Sequence, residues 1–165
     1  MTAPACVDPA SEVITATMNA LKAVYAADSV CPPLGGSTDK VAFIAADMAP
    51  LDEIHCSSPL LWVRLAGRHR SQVFPDPSVA ASPCGGLDVI VLEVGVARCA
   101  DLDPSYSAKA TEAEVALDDT WRLSRALCMV SGQLRTDHQV GYDSIIPYGP
   151  EGGVIAWTAL VYISV

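Results

Sequence analysis

The chain has 165 residues, with 19 acidic and 10 basic side chains and a formal net charge of −9. So acidic a chain is a poor binder of phosphates or anionic lipid, and its 51% hydrophobic content excludes intrinsic disorder. The length predicts one domain, large enough to form a core without metal or disulfide staples. Charged residues are only 18% of the chain, so we expect a partner to cover part of the surface.

No segment of the sequence predicts a membrane span or a secretion signal. The longest nearly apolar stretch, 154–165, is far shorter than the ~20 residues that a spanning helix needs. The first residues lack the basic region and the long apolar region of a signal peptide. We therefore expect a protein that is made and used in a cytoplasm.

Six cysteines stand at positions 6, 31, 56, 84, 99 and 128, and no two of them form a C-x-x-C pair. Zinc sites usually take their ligands in tight pairs, so this spacing disfavours a metal site. Because a cytoplasm keeps thiols reduced, we expect free cysteines, mostly buried as small apolar side chains.

The first part of the chain predicts one helix and two strands. Apolar residues recur every three to four positions across 9–27, which predicts an amphipathic helix. Residues 41–45 form a short apolar strand, and 47–59 form a loop. Residues 60–68 alternate in polarity, as in a half-buried strand. One face of this strand carries Leu61, Val63 and Leu65, and the other face carries Trp62, Arg64, Ala66 and Arg68.

A long connection and the longest strand come next. Residues 69–86 hold three prolines and two glycines, which predicts a long loop of the kind that carries function or moves. Residues 87–98 are almost uniformly apolar and predict a strand long enough to extend beyond a small sheet. Gly95 within this strand indicates either a bulge or a close neighbour.

The last part of the chain predicts a helix followed by two strands. Residues 111–114 form a capping box, so we expect the second helix to begin there and to end near Gly132. Residues 142–146 predict a short strand, 147–153 a turn and 154–165 a final strand. The predicted buried side of the second helix carries Ala113, Leu117, Trp121, Ser124, Leu127, Cys128 and Ser131.

The predicted element order is α-β-β-β-α-β-β, in one domain over residues 1–165. Because the strands follow one another without crossover helices, this order predicts an α+β fold. We expect a mixed or antiparallel sheet of about five strands, with two main helices packed on one face.

No group of residues predicts catalysis or a cofactor. Asp118 and Asp119 adjoin on the second helix, point in different directions and are expected on a solvated face. Residues 149–153 are rich in glycine, but Pro150 and Glu151 make them unsuitable for a phosphate. We therefore expect a protein that is not an enzyme and that needs no cofactor and no metal.

Several residues are candidates for contacts with other proteins. The basic cluster at 68–70 stands at a strand end, where it is either simply exposed or faces an acidic neighbouring subunit. Trp62, Trp121 and Trp157 lie at positions that suit the core, but tryptophan is also a common interface anchor. The candidate interface residues are Trp62, Arg68, Arg70, Phe74, Tyr148, Pro150 and Trp157.

Three stretches of the sequence resemble one protein family. They are the strand 87–99, which ends Glu-Val-Gly-Val-Ala-Arg-Cys, the helix 110–128, and the segment Pro-Tyr-Gly-Pro-Glu-Gly-Gly at 147–153 with Trp157 after it. Over roughly residues 60–165 the chain resembles the small neck proteins of actinobacteriophages, which are head-to-tail connector or tail terminator proteins.

This resemblance implies a structural protein of the virion. Tail terminators of long-tailed phages are small α+β proteins whose hexameric ring caps the tail tube and joins it to the head-side connector. The implied partners are further copies of the chain, the major tail tube protein and the head-completion or stopper protein. DNA would pass through the bore of the ring without specific binding. The implied location is the head–tail junction, after assembly in the cytoplasm of the host bacterium.

Two other functions stay open at this point. One is a connector or stopper ring elsewhere in the same neck. The other, of a different class, is a small-molecule-binding or hydrolytic α+β domain, which would need a pocket with converging polar groups.

Overall fold

The chain folds into two helices and a six-stranded mixed sheet, in a computed structural model that describes residues 7–79, 82, 84–101 and 105–165. The α+β class predicted from the sequence is confirmed, with six strands where about five were expected. The elements are α1 Ala10–Tyr25, β1 Val41–Ile44, a 3₁₀ turn Leu51–Glu53, β2 Leu60–Ser71, β3 Leu87–Cys99, α2 Tyr106–Leu134, β4 Val140–Tyr142, β5 Ile146–Glu151 and β6 Val154–Ser164.

The sheet is built around β3, its longest strand. β3 pairs antiparallel with β2 on one side and with β6 on the other, and β1 pairs in parallel with the outer edge of β2. Both β4 and β5 pair antiparallel with β6, at opposite ends of that strand. The central position of β3 explains its nearly uniform apolar sequence, because most of its side chains are buried.

The two faces of the sheet differ in what covers them. On one face, which we call the covered face, buried residues of both helices join three strands in the main core. On the other, which we call the open face, Trp62, Ala97, Val154 and Ala156 form a smaller core. The main core includes Val13 and Leu21 of α1, Leu123 and Leu127 of α2, Leu61 and Val63 of β2, Leu92 and Val94 of β3, and Val161 and Ile163 of β6.

A bulge in β2 changes the alternation that the sequence predicts. The pairing of β2 with β3 skips Ala66, which is an extra residue in its strand. Such an insertion moves every later side chain to the opposite face of the sheet. Arg68 therefore stands opposite the buried Ile90 on the covered face, and the prediction that it shares a face with Trp62 is wrong.

The loop predicted over 69–86 begins only after Ser71. β2 extends to that residue because its last positions pair with the start of β3. The connection that follows contains a cis peptide bond before Pro75. Positions 80, 81 and 83 of the predicted loop lie outside the described residues.

Helix α2 begins earlier than predicted and buries a different face. Its N-cap is Ser105, whose hydroxyl accepts the backbone N–H of Ala108, so the sequence at 111–114 lies inside the helix. Of the seven predicted inner residues, all of them described, Leu127 alone is buried. The buried residues are Asp119, Arg122, Leu123, Ala126, Leu127, Val130 and Leu134. Because two of these are charged, hydropathy indicated the wrong face.

The strand predicted at 142–146 and the turn predicted at 147–153 are both wrong. In their place, β4 ends at Tyr142 and β5 runs from Ile146 to Glu151. The turn into β6 has only two residues, both glycines, with φ of 59° and 79°. Two consecutive positive φ values suit a tight hairpin, and β5 tolerates its prolines because it pairs with β6 alone within the described sheet.

One pair of cysteines contradicts the expectation of free thiols. Cys56 and Cys99 form a disulfide with their Cα atoms 5.2 Å apart. This bond ties the segment after the 3₁₀ turn to the end of β3, where Cys99 stands opposite Val154 of the open-face core. Three other cysteines, at positions 31, 84 and 128, are free but exposed, and position 6 lies outside the described residues.

Candidate protein–protein interface

The open face carries a groove, which we call the open-face groove. It lies between residues 46–52 and strand β5, and it consists of two cavities of about 650 and 270 Å³ that share Met48 and Tyr148 in their walls. Met48, Ile146 and Tyr148 are 65%, 56% and 41% exposed. Large apolar side chains are thus collected in one concave surface, as they are at many interaction sites.

An ion pair and a tryptophan form the floor of this groove. The indole N–H of the fully buried Trp62 donates to Glu93 Oε1 at 2.9 Å. Arg64 Nη2 donates to Glu93 Oε2 at 2.6 Å, and each of these charged side chains is 14% exposed. Arg64 Nη1 also donates to the backbone carbonyls of Ala46 and Asp47, which ties one wall to the floor.

Gly95 allows Trp62 to lie against β3. A Cβ atom at this position would stand 2.2 Å from Cζ2 of the indole, far inside van der Waals contact. The close neighbour that the sequence indicated at Gly95 is therefore the Trp62 ring, which the sequence could not name.

The rim of the groove is acidic. Asp47 and Asp52 line its cavities and are exposed. Within the described part of the chain, neither carboxylate has a cationic partner. This end of the molecule therefore presents uncompensated negative charge beside apolar side chains.

The outer face of α2 carries a second exposed apolar surface. Leu117, Trp121 and Met129 are 72%, 44% and 42% exposed, and Cys128 is an exposed free thiol. The guanidinium of Arg125 lies over the Trp121 ring, with Cζ 4.8 Å from a ring centroid. We call these five residues the α2 outer stripe. The sequence pattern placed Leu117, Trp121 and Cys128 on the predicted buried side of α2, with an interface role left open for Trp121, and the structure shows all three to be exposed.

Two largely buried ion pairs involve α2, and one of them joins the helix to β3. Arg98 donates two hydrogen bonds to the carboxylate of Asp119, at 2.6 and 2.7 Å, and Asp119 is 2% exposed. Arg122 donates to Asp118 at 2.8 Å. The prediction of a solvated face for both aspartates is therefore wrong. Burial, with the negative charge of Asp119 nearby, raises the pKa of the Tyr25 hydroxyl well above its usual range.

Arg68 pairs with two carboxylates of its own chain. It donates to Asp88 at 3.0 and 2.6 Å and to Asp8 at 2.5 Å, while Arg70 lies 3.9 Å from Asp88. The hydrogen bonds from Arg68 lower the pKa of Asp88, and those from the Ala10 N–H and from Arg68 lower the pKa of Asp8. The same bonds raise the pKa of Arg68. The basic cluster at 68–70 thus joins the start of α1 to the sheet.

The other candidate interface residues are dispersed. The Phe74 ring lies beside Gly141, next to β4. Pro150 is exposed near the end of the edge strand β5. Trp157 is half-buried on the covered face, and its indole N–H has no hydrogen-bond partner within the described residues. Of the seven candidates, the structure brings Trp62 and Tyr148 together at the open-face groove.

A smaller cavity, of about 190 Å³, lies where β3, β6 and the first half of α2 meet. Arg98 and Asp119 in its wall pair with each other, and Glu112 pairs with Lys109 at 3.2 Å. These charged groups are therefore already engaged within the chain. Within the described ranges, no group of three or more His, Cys, Asp or Glu side chains is placed to hold a metal ion. Neither described helix is long and apolar enough to cross a membrane.

No protein-family model matches this chain, and no curated protein is significantly similar to it. We therefore infer its function from the fold and from its two exposed apolar surfaces.

Proposed function

We propose that this chain is a structural protein of the neck of a long-tailed phage, and specifically the tail terminator. In this function, six copies form a ring that caps the tail tube and joins it to the head-side connector. The partners are further copies of the chain, the major tail tube protein and the head-completion or stopper protein. No catalysis, cofactor or membrane takes part.

The observation that carries the proposal is the pair of exposed apolar surfaces. The open-face groove lies on one side of the sheet, and the α2 outer stripe lies on the far side of the helix layer. A subunit of a closed ring must present two different surfaces that fit each other. A single small domain with one such surface on each side meets this requirement.

The charge of the chain supports the passage of DNA through such a ring. The net charge is −9, and five of the seven arginines form ion pairs with carboxylates of their own chain. A protein with so few uncompensated cations has little attraction for phosphates. DNA in the bore would therefore move without being held.

The test is assembly with the tail tube protein encoded near this chain, followed by negative-stain electron microscopy. We expect six-fold rings at one end of each tube and tubes that no longer lengthen. Rings of twelve subunits that ignore the tubes would instead indicate a connector. Tubes that lengthen as before, without a ring, would contradict a neck function, as would a gene neighbourhood of metabolic enzymes.

A further inference from the structure

We infer that the α2 outer stripe of one copy docks into the open-face groove of the next copy, in a head-to-tail contact. This inference rests on the proposed function, because it names the two surfaces that would join the subunits of the ring. The contact would bury the apolar side chains that a single chain leaves exposed on both surfaces.

The shapes of the two surfaces favour unlike over like contacts. The α2 outer stripe is convex, because it lies on a 29-residue helix, whereas the groove is concave. An amphipathic helix that places its apolar side chains in a groove is a common mode of recognition. Two grooves placed face to face would leave both empty. Two stripes placed face to face would bring the positively charged Arg125 side chains of the two copies towards each other.

The charges of the two surfaces are complementary. Arg125 is exposed, stacks on Trp121 and forms no ion pair within the described residues. Asp47 and Asp52 on the groove rim likewise have no cationic partner there. A contact between the surfaces would place this cation beside unpaired carboxylates, which sets register and disfavours wrong partners.

Both surfaces are held rigidly before they meet. The Arg98–Asp119 pair fixes α2 against the sheet, and the bonds among Trp62, Arg64 and Glu93 fix the groove floor. Preorganised surfaces lose less conformational entropy on binding. Because the stripe and the groove lie on opposite sides of the domain, the contact repeats from copy to copy and forms a ring if the rotation closes.

The experiment mixes two variants that each lack one surface. Trp121→Glu disrupts the α2 outer stripe and leaves the open-face groove intact. Ile146→Glu disrupts the groove and leaves the stripe intact. Each variant alone should associate with itself at least about 30-fold more weakly than the wild type, the loss expected of an interface hot spot. Mixed in equal amounts, they should form a complex of two chains and nothing larger, as measured by sedimentation.

Matched controls are Tyr106→Glu on the same helix and Val79→Glu in the β2–β3 connection. Both side chains are almost fully exposed and lie outside the two surfaces. These variants should assemble as the wild type does. Circular dichroism should show all four variants folded, since none of the four wild-type side chains is buried.

Three results would overturn the inference. They are a wild-type chain that remains monomeric up to its solubility limit, single variants that assemble as well as the wild type, and a mixture that stays monomeric. The proposed function is tested separately by tube binding. Rings that depend on both surfaces but ignore tail tubes would contradict the terminator function and support the contact. Rings that cap tubes even with both surfaces altered would support the terminator function and contradict the contact.

Discussion

The covered face and the open face of the sheet bury their side chains by different means. On the covered face, two helices and three strands form one continuous aliphatic core. On the open face, Trp62, the Arg64–Glu93 ion pair and a segment held by the Cys56–Cys99 disulfide protect a smaller core. The first face is complete within one chain. The second leaves a groove lined by exposed apolar side chains, which we propose is covered by another copy of the chain.

We expect the greatest loss of stability from removal of the Asp119 carboxylate on the covered face. Asp119→Ala leaves Arg98 buried without its carboxylate, and breaking a buried ion pair from one side costs about 3–5 kcal/mol. We expect the free energy of unfolding in urea to fall by that amount. Glu114→Ala, at an exposed position on the same helix, is the control. A loss below about 1 kcal/mol would show that the pair does not hold α2 in place.

Removal of the Cys56–Cys99 disulfide tests how much this bond stabilises the segment that covers the open face. Cys56→Ser opens a covalent loop whose ends are 43 residues apart in sequence, and loss of a disulfide of this kind typically costs about 2–4 kcal/mol. Thermal unfolding of the oxidised protein measures the effect, and Cys84→Ser, at a free exposed thiol outside both proposed contact surfaces, is its control. If reduction of the wild type left its melting temperature unchanged, the disulfide would contribute nothing to the stability of the fold.

Gly95→Ala tests the packing of Trp62 beneath the groove. The new methyl group would overlap the buried indole, and overpacking of this kind costs about 1–3 kcal/mol. Gly67→Ala in β2 is the control, because a Cβ atom there meets nothing within 4 Å. Equal melting temperatures for the two variants would contradict the tight contact of Trp62 with β3.

The smallest effect concerns the ion pairs of Arg68 at the edge of the covered face. The pKa values of Asp88 and Asp8 are lowered, so the folded chain binds fewer protons than the unfolded chain near their usual values of about 3.8. The stability that these groups confer is therefore present above roughly pH 4 and is lost as the pH falls through the folded pKa values.

Arg68→Gln should lower the stability at neutral pH by less than about 1 kcal/mol, because the pair is partly exposed. It should also reduce the loss of stability in acid, as measured by unfolding at a series of pH values. Arg135→Gln serves as the control, because Arg135 forms no ion pair with a carboxylate among the described residues. An acid profile identical to that of the wild type would contradict the role of Arg68.

The sequence predicts those parts of the fold that depend on local pattern. The periodicity of 9–27 predicts α1, and the apolar run of 87–98 predicts the central strand. The α+β class follows from the order of these elements. Gly95 predicts either a bulge or a close neighbour, and the structure shows the close neighbour, the Trp62 ring.

Other features depend on contacts that pattern does not contain. The bulge at Ala66 is visible only in the pairing of β2 with β3, which skips that residue. The inner face of α2 carries Asp119 and Arg122, and buried charges count as surface in any hydropathy pattern. The Cys56–Cys99 disulfide requires that two distant segments meet on the open face. The open-face groove likewise forms only when residues 46–52 fold over the sheet.

The most direct test of the neck function is the mass of the purified chain in solution, measured by light scattering with and without the tail tube protein. The neck function predicts a ring of about six times the 17.3 kDa chain, formed either alone or on the tube. A mass of one chain under both conditions would contradict it, because the groove and the α2 outer stripe would then remain exposed without a partner of either kind.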